Sequence, residues 1–487
     1  MGFNRHGIIK VVCTVHIVLG FAMLPSFIIA VLGREYRAAV VFAALILLLL
    51  GVGYPVMKKA SPKSPNLKIR DGVLIVALSW ILASLLGTLP YLLTGAIDNF
   101  AKAFFESTSG FTTTGATILT DLEGLPMSLI FWRSLSQWLG GMGILVFAIS
   151  ILPALGIGGQ KIARAETPGP VLDKLTPKMT DSAKILYIIY FSFTLSAFLL
   201  LLLGGMNPFD AIIQSLGSVA TGGLSNHAEG IAYFDNFYVE MVLSSFTILS
   251  SINFTLYYTL IQGNWKDFIG NWELRTFLLI LFLSVILIGS NLVASDVVST
   301  PFEAFRLSLF QASSAMSTTG HFSTDFNLWP PFSKMLLLIL MSIGACSAST
   351  GGGLKVIRFM VLFSLIRRGF QKRLHPRAVI PVKFHGKVIP QEVVSSIAAF
   401  FHLYLFLFIL SLLVLSFENL DLLSTFSAVI ATMNNCGTGL GLVGPSGSFA
   451  VFSDFSSIYL CFLMLAGRLE LFTMILLFSP SFWNPDR

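Results

Sequence analysis

Four short stretches of the sequence join Thr, Ser, Asn or small residues to a glycine, and each follows a short apolar segment and precedes a longer one. Glycine allows a close backbone approach, and backbone carbonyls can replace the hydration shell of a cation. One such stretch says little, but four in the same context, about 100 residues apart, predict four copies of one unit around an ion pore. We call them turns 1 to 4: Thr112-Thr113-Thr114-Gly115-Ala116, Val219-Ala220-Thr221-Gly222-Gly223, Ser317-Thr318-Thr319-Gly320-His321 and Asn434-Asn435-Cys436-Gly437-Thr438.

The composition places the units in a membrane. Of 487 residues, 55% are hydrophobic and only 11% are charged, whereas soluble domains carry about 25% charged residues. Apolar runs of about 20 residues recur, and each could cross a hydrocarbon core of roughly 30 Å. The net charge of +7 comes from basic residues between these runs, which favours membrane orientation over nucleic-acid binding. The four cysteines have no CxxC spacing, so neither a disulfide framework nor a zinc site is predicted.

The order of apolar segments predicts an all-α integral membrane protein. Residues 1–70 form an accessory two-helix hairpin, and four tandem repeats follow, each consisting of a helix, a re-entrant helix and a second helix. The short segments of about ten to fourteen residues cannot span a bilayer, so we interpret them as re-entrant helices around a central aqueous pore. The predicted repeats are 71–183, 184–274, 275–391 and 392–487.

Charge distribution predicts the topology. The linkers between repeats are basic, whereas the turn sides are mainly acidic, with Asp98, Glu106, Asp121 and Glu123 in the first repeat. We therefore expect about ten spans, both termini in the cytoplasm, all four turns on the outer side and an acidic vestibule that concentrates cations. The second helix of each repeat is expected to be long, for example at 127–153 and 237–262.

The four turns in this context resemble those of the Trk/Ktr/HKT superfamily of potassium transporters, and the resemblance covers essentially the whole chain. The leading hairpin makes the chain similar to the bacterial TrkH type. The resemblance implies that Gly115, Gly222, Gly320 and Gly437 are the glycines of a potassium filter. In the family, glycine at all four positions accompanies potassium preference, and serine in the first accompanies sodium. The residues implied to supply carbonyls to potassium are Thr112, Thr113, Thr114, Val219, Ala220, Thr221, Ser317, Thr318, Thr319, Asn434, Asn435 and Cys436, of which Cys436 departs from the Thr-Gly pattern.

A flexible segment interrupts the second helix of the third repeat. Its three consecutive glycines each cost about 1 kcal/mol in a helix interior, so we predict a loop that lines the cavity. The resemblance implies that this loop is an intramembrane gate below the filter. The segment is Gly344-Ala345-Cys346-Ser347-Ala348-Ser349-Thr350-Gly351-Gly352-Gly353.

Arg468 lies in an apolar run, where a charged side chain has a high free-energy cost and therefore indicates a functional role. It resembles the family's arginine that faces the permeation path, and our hypothesis is that Arg468 and the loop form a barrier beneath the filter. Alternatively, Arg468 pairs with Glu470 or extends its guanidinium to the membrane surface.

Several other interpretations stay open at this stage. Potassium uptake could be coupled to protons or sodium, although repeats of one orientation and nearly acid-free long helices disfavour a symporter. An enzyme is disfavoured because the spans contain no catalytic cluster. Residues 140–143 fit close helix packing better than a second gate, and His321 fits a solvated pore mouth better than a pH sensor. The basic run 367–377 could bind anionic lipid, set topology or dock a partner.

The resemblance also implies partners and location. It predicts a homodimer in the bacterial inner membrane, in contact with lipid and regulated by a cytoplasmic TrkA-type nucleotide-binding subunit. Potassium is the expected transported and bound ligand, and no organic cofactor is predicted for this chain.

Overall fold

The computed structural model describes residues 3–60, 68–143, 179–384 and 387–484. The regular secondary structure of these residues is almost entirely helical, which confirms the predicted all-α class. A hairpin of two-residue antiparallel strands, β1 (Lys383–Phe384) and β2 (Lys387–Val388), is the exception among them. The helices are α1 Arg5–Ala22, α2 Leu24–Leu32, α3 Tyr36–Lys59, α4 Ile69–Thr94, α5 Phe100–Phe111, α6 Met127–Gly141, α7 Met179–Leu203, α8 Pro208–Val219, α9 Phe237–Ser251, α10 Phe254–Ile261, α11 Trp265–Gly270, α12 Trp272–Ala294, α13 Pro301–Met316, α14 Pro331–Ile343, α15 Val356–Leu374, α16 Gln391–Leu415, α17 Leu422–Met433, α18 Asp454–Arg468, α19 Phe472–Leu476 and α20 Pro480–Trp483.

Four units follow the hairpin of α1 to α3, and each has a leading, a short and a trailing helix. The short helices α5, α8, α13 and α17 contain 12, 12, 16 and 12 residues, too few to span a bilayer. Each packs against the leading and trailing helices of its own unit.

The short helices start in the same way. In each, the residue before the first turn accepts a hydrogen bond from a backbone N–H three residues later, which satisfies an otherwise unpaired donor. These N-cap residues are Asn99, Asn207, Thr300 and Asp421. Local capping therefore determines where each short helix begins, and four short helices are observed where the sequence predicts re-entrant segments.

The trailing helices are interrupted, as predicted for the third repeat but not for the second and fourth. The second trailing helix bends by 91° between α9 and α10, and the fourth breaks over 469–471. The third breaks over 344–355, which includes the predicted segment 344–353. The described part of the first ends at Gly141, and its predicted continuation from 144 to 153 lies outside the described residues. A continuous helix would satisfy its own backbone, so each break leaves backbone groups available for contacts with the turns.

Six described helices are long and apolar enough to cross a membrane, or seven spans if the bent pair α9 and α10 is counted as one. The other three of the ten predicted spans correspond to α6, α14 and α18, which contain only 15, 13 and 15 residues. They are short because the described part of the first trailing helix ends at Gly141 and because α14 and α18 end at the breaks described above.

The leading helices begin a few residues before the predicted repeat boundaries. Residues 71, 184, 275 and 392 fall inside α4, α7, α12 and α16. Local capping sets the true start: for α12, the Asn271 side chain accepts a hydrogen bond from the Leu274 N–H.

The distribution of apolar side chains is that of a membrane protein. Leu279 and Phe282 on α12 are 56% and 62% exposed, whereas Ser and Thr residues of the short helices are buried. An apolar exterior around a polar interior requires lipid rather than water outside.

Candidate functional site

The four turns share one backbone conformation. When turn 2 is taken to begin at Ala220, the third residue of every turn donates its N–H to the short-helix carbonyl five residues earlier, as Thr114 does to Ser109 at 2.9 Å and Cys436 to Ala431 at 2.8 Å. The second and fourth residues have positive φ, for example 54° at Thr113 and 82° at Gly115. The turns are therefore repeats in geometry as well as in sequence.

This geometry corrects the register of turn 2. There the positive φ values fall at Thr221 (52°) and Gly223 (73°), and Gly222 makes the third-position hydrogen bond to Gly217. The structural equivalent of Gly115 is thus Gly223 and not the predicted Gly222, which is equivalent to Thr114. Two adjacent glycines made the register ambiguous in the sequence. Turn 2 begins with Ala220 instead of Val219.

The turns close into a ring through their fourth-position glycines. A Cβ added to any of them would collide with the third-position carbonyl oxygen of the next unit. Glycine is therefore favoured at these positions for two reasons: the contacts leave no room for a side chain, and the positive φ is itself unfavourable for other residues. The pairs are Gly115 with Gly222, Gly223 with Thr319, Gly320 with Cys436 and Gly437 with Thr114.

The carbonyls of the first two positions of each turn point away from the short helix. In a trans peptide the C=O is opposite to the N–H of the following residue. The N–H groups of Thr113 and Thr114 point back to the helix carbonyls of Gly110 and Ser109, so the carbonyls of Thr112 and Thr113 face the other way. The same bonds in the other turns orient Ala220, Thr221, Ser317, Thr318, Asn434 and Asn435.

The predicted 344–353 loop lies directly against three turns. The Gly352 N–H donates to the Thr318 hydroxyl at 2.6 Å, and the Gly353 N–H donates to the Asn434 carbonyl at 3.1 Å. The hydroxyl of Thr350 lies 3.2 Å from that of Thr221. Turns 2, 3 and 4 therefore each contact the loop.

Arg468 completes this layer at turn 1. Its guanidinium donates to the Thr113 hydroxyl at 3.3 Å, to the Thr350 carbonyl at 2.9 Å and to the carbonyls of Gly140 and Gly141 at 2.5 and 2.7 Å. It thus joins the end of α6 to the loop.

The alternative partner of Arg468, Glu470, instead pairs with Arg358. Arg358 also lies over the Phe400 ring, with 3.9 Å to its centroid. The alternative pairing of Arg468 with Glu470 is therefore not observed.

Other charged and amide side chains around the turns were not predicted. Arg133 on α6 donates to Glu106 on α5 at 2.5 Å, and both are buried. Gln137 donates to the Gly222 carbonyl at 2.5 Å. Arg133 lies within a predicted span, so the criterion that identified Arg468 would also have found it.

Two more side chains hold the loop and were likewise missed. Glu273 accepts hydrogen bonds from the N–H and hydroxyl of Ser347 at 2.6 and 2.7 Å. Lys355 donates to the Gly351 carbonyl at 2.5 Å. In the sequence, Glu273 lies about 70 residues from the loop it holds, so no local pattern relates them.

A cavity of about 310 Å³ opens beside the turns, lined by Gly115, Gly223 and Gly437 among others. Its described lining includes Arg133 and His227 but no carboxylate. Of the acids named in the first repeat, Glu106 is buried against Arg133, whereas the Glu123 carboxylate is exposed and lies 3.8 Å from His227. The acidic vestibule therefore stays a prediction.

Two lesser predictions are settled by packing. His321 is only 2% exposed, with its ring nitrogen 3.2 Å from the Ser218 hydroxyl, so it is not solvated. A Cβ on Gly140 would collide with the Phe111 carbonyl, which confirms the interpretation of close helix packing.

Comparisons with known proteins agree on one family. A family model described as TrkH, cation transport protein, matches residues 37–484. The chain is 39% identical to the Trk system potassium uptake protein TrkH of Vibrio parahaemolyticus, over 98% of this chain and 99% of that protein. It is 37% identical to TrkG of Escherichia coli K12, over 95% of each. The crystal structure of the potassium transporter TrkH from Vibrio parahaemolyticus matches with a TM-score of 0.88 and 38% identity, covering 99% of this chain and 100% of that one.

The ring predicts different costs for alanine at two glycines of similar φ. At Gly205 (φ 85°) an added Cβ meets nothing within 4 Å, so Gly205→Ala should cost only about 1–2 kcal/mol of backbone strain. Gly115→Ala adds the clash with Gly222, about 1–3 kcal/mol more by typical overpacking costs. Thermal unfolding of the purified protein in detergent measures both. Equal losses for the two variants would contradict the ring contact.

Proposed function

The chain belongs to the TrkH family of cation transport proteins and takes up potassium across a membrane, and from this premise we propose that potassium passes along the axis of the ring of turns. The observation that carries the proposal is the repeated contact between each fourth-position glycine and the next unit. Four like contacts in a closed order require one rotation axis, along which an ion can move.

The proposed filter uses backbone carbonyls of the first two positions of each turn. They point away from the short helices, and carbonyl rings of this kind replace the hydration shell of potassium. The short helices also end at the turns, so the negative ends of their dipoles favour a cation. The corrected register assigns Ala220, Thr221, Gly222 and Gly223 to turn 2. The proposed potassium ligands and filter residues of the other turns are Thr112 to Gly115, Ser317 to Gly320 and Asn434 to Gly437.

The proposed gate is the loop together with Arg468. In this conformation the loop occupies the Asn434 carbonyl and contacts turns 2 to 4, which would leave no passage for an ion beneath the filter. Arg468 adds a positive charge at turn 1, where it repels potassium. Steric closure and charge would therefore act in one layer.

The geometry gives less support to a coupled symporter. Symporters with inverted repeats bind their substrate at the interface of oppositely oriented units. Here the four units make the same contact in the same direction around the ring. We therefore propose passive conduction through a gated filter.

The membrane and partners follow from the relatives. Names that refer to a Trk system support an assembly with other Trk components. We propose a homodimer in the bacterial inner membrane with cytoplasmic termini, regulated by a TrkA-type nucleotide-binding subunit. The exposed basic end of α15, with Lys372 and Arg373 in its last turn, is the cytoplasmic surface proposed to face lipid or this subunit.

Removal of Gly351–Gly353 should raise potassium flux, because the contacts to Thr318 and Asn434 are lost. Uptake of ⁸⁶Rb⁺ into proteoliposomes measures the change. The matched control deletes Arg377–Val379, three residues of an exposed linker. A folded loop deletion with unchanged flux would exclude the gate.

Substitution of adjacent glycines tests the corrected register. Gly223→Ala places a Cβ at φ 73° against the Thr319 backbone carbonyl, whereas Gly222→Ala lies outside the positive-φ region and meets the side-chain amide of Gln137. We expect Gly223→Ala to lower ⁸⁶Rb⁺ uptake about ten-fold or more, which equals about 1.4 kcal/mol, and to weaken discrimination against sodium more than Gly222→Ala does. The reverse order would restore the register predicted from the sequence.

A further inference from the structure

The 344–353 loop is attached to the rest of the protein at two places, and the turns form only one of these attachments. Its glycine-rich end contacts Thr318 and Asn434. Its other end contacts the start of α12, where the Glu273 carboxylate accepts both the Ser347 N–H and the Ser347 hydroxyl. Filter contact alone does not explain the second attachment.

We propose that Glu273 is a latch that keeps the gate closed by holding Ser347. The proposal rests on the gating role assigned above to the loop. Glu273 is then a positioning residue, because its carboxylate binds the loop at Ser347. Among the described residues, it makes no hydrogen bond to the turns.

The chemistry of the pair suits a latch. A carboxylate has two acceptor oxygens, and here one takes the N–H and the other takes the O–H. Both are charge-assisted hydrogen bonds, which are stronger than neutral ones. Glu273 is 3% exposed, so movement of the loop would leave a buried charge short of two donors, which is unfavourable.

The carboxylate is also firmly positioned. Asn271 caps α12 through the Leu274 N–H at 3.0 Å, and Arg275 donates to the Ile269 carbonyl of α11 at 2.7 Å. A functional group on a braced helix start holds its partner more precisely than one on a mobile loop. Opening therefore has to move Ser347 away from Glu273 or shift the start of α12.

Acidic residues in the first turn of other leading helices make different contacts from those of Glu273. Asp71 on α4 accepts from the backbone N–H groups of Asn4 and Lys68 at 3.1 and 2.8 Å. Glu392 on α16 is exposed. Helix capping alone therefore does not require that an acid at this place reach a loop, as Glu273 does.

Lys355 secures the loop from within. Its ammonium, on a side chain only 2% exposed, donates to the carbonyls of Gly351 and Cys346 at 2.5 and 3.4 Å. This bracing makes the residues from Cys346 to Gly351 one unit, so release of Ser347 should affect the end that contacts the turns.

Flux is the first test, with the full-length protein in proteoliposomes. Glu273→Ala should raise ⁸⁶Rb⁺ influx about five-fold or more, the lower range of allosteric coupling. Ser347→Ala, which keeps the backbone N–H, should raise it less, and Glu273→Gln, which keeps one acceptor, should lie between Glu273→Ala and the parent. In the double variant Glu273→Ala/Ser347→Ala, influx should rise by less than the product of the two single-variant increases, because both substitutions remove the same contact. Glu392→Ala is the matched control and should leave influx unchanged.

Labelling of Cys346 separates the latch from the gate. Cys346 is next to Ser347 in the sequence and is only 1% exposed. A charged maleimide should therefore react with its thiol faster in Glu273→Ala than in the parent protein, because release of the loop exposes it. The variant Cys346→Ala shows which part of the labelling comes from this thiol. Faster labelling with higher influx supports both proposals. Faster labelling without higher influx supports the latch and refutes the gating role. Unchanged labelling in folded Glu273→Ala protein, judged by its thermal unfolding, overturns the latch whatever the flux.

Discussion

The contact between a glycine and the carbonyl of the next unit is the constraint on which the rest of the structure depends. It brings four backbone segments within van der Waals distance at membrane depth, and a side chain at Gly115 or its equivalents would separate them. Backbone that leaves a helix there must find partners in protein, because lipid offers none. The short helices supply part of the answer, since their last carbonyls accept the N–H groups of the turns. The turns are thus fixed from outside by their own helices and from the side by one another.

The breaks in the trailing helices follow from the same requirement. A continuous helix satisfies its own backbone and has nothing to offer a turn. Where α6 ends, the carbonyls of Gly140 and Gly141 become available to Arg468. Where α14 ends, the loop offers N–H groups to Thr318 and Asn434. The interruptions therefore supply the backbone groups that hold the layer beneath the turns together, and the third interruption contacts three turns.

Sequence reasoning was strongest where local patterns repeat and weakest where contacts are distant. The short helices were predictable because each lies between apolar runs and starts at a capping residue. The register of turn 2 was not, since Gly222 and Gly223 are interchangeable until their φ values and hydrogen bonds are known. Counting charges alone does not describe the acidic residues near the turns, because it ignores pairing: Glu106 is buried against Arg133, whereas Glu123 is exposed. The attachment of Ser347 to Glu273 had no sequence signal, because nothing local relates an acid on one helix to a loop two helices later.

The proposed gate and the proposed filter differ in which cation their carbonyls contact. In the layer beneath the turns, Lys355 and Arg468 donate to the carbonyls of Gly351 and Thr350. In this layer a side-chain cation interacts with the carbonyls, as potassium would interact with the filter carbonyls in the proposed function. Unlike potassium, the side-chain cation is covalently attached and cannot leave. The buried charge would be costly in an apolar medium, and these carbonyls offset that cost. In the proposed function, conduction requires the loop to leave the turns, so an anionic latch such as Glu273, which acts on the loop and not on the ion, would control the pore.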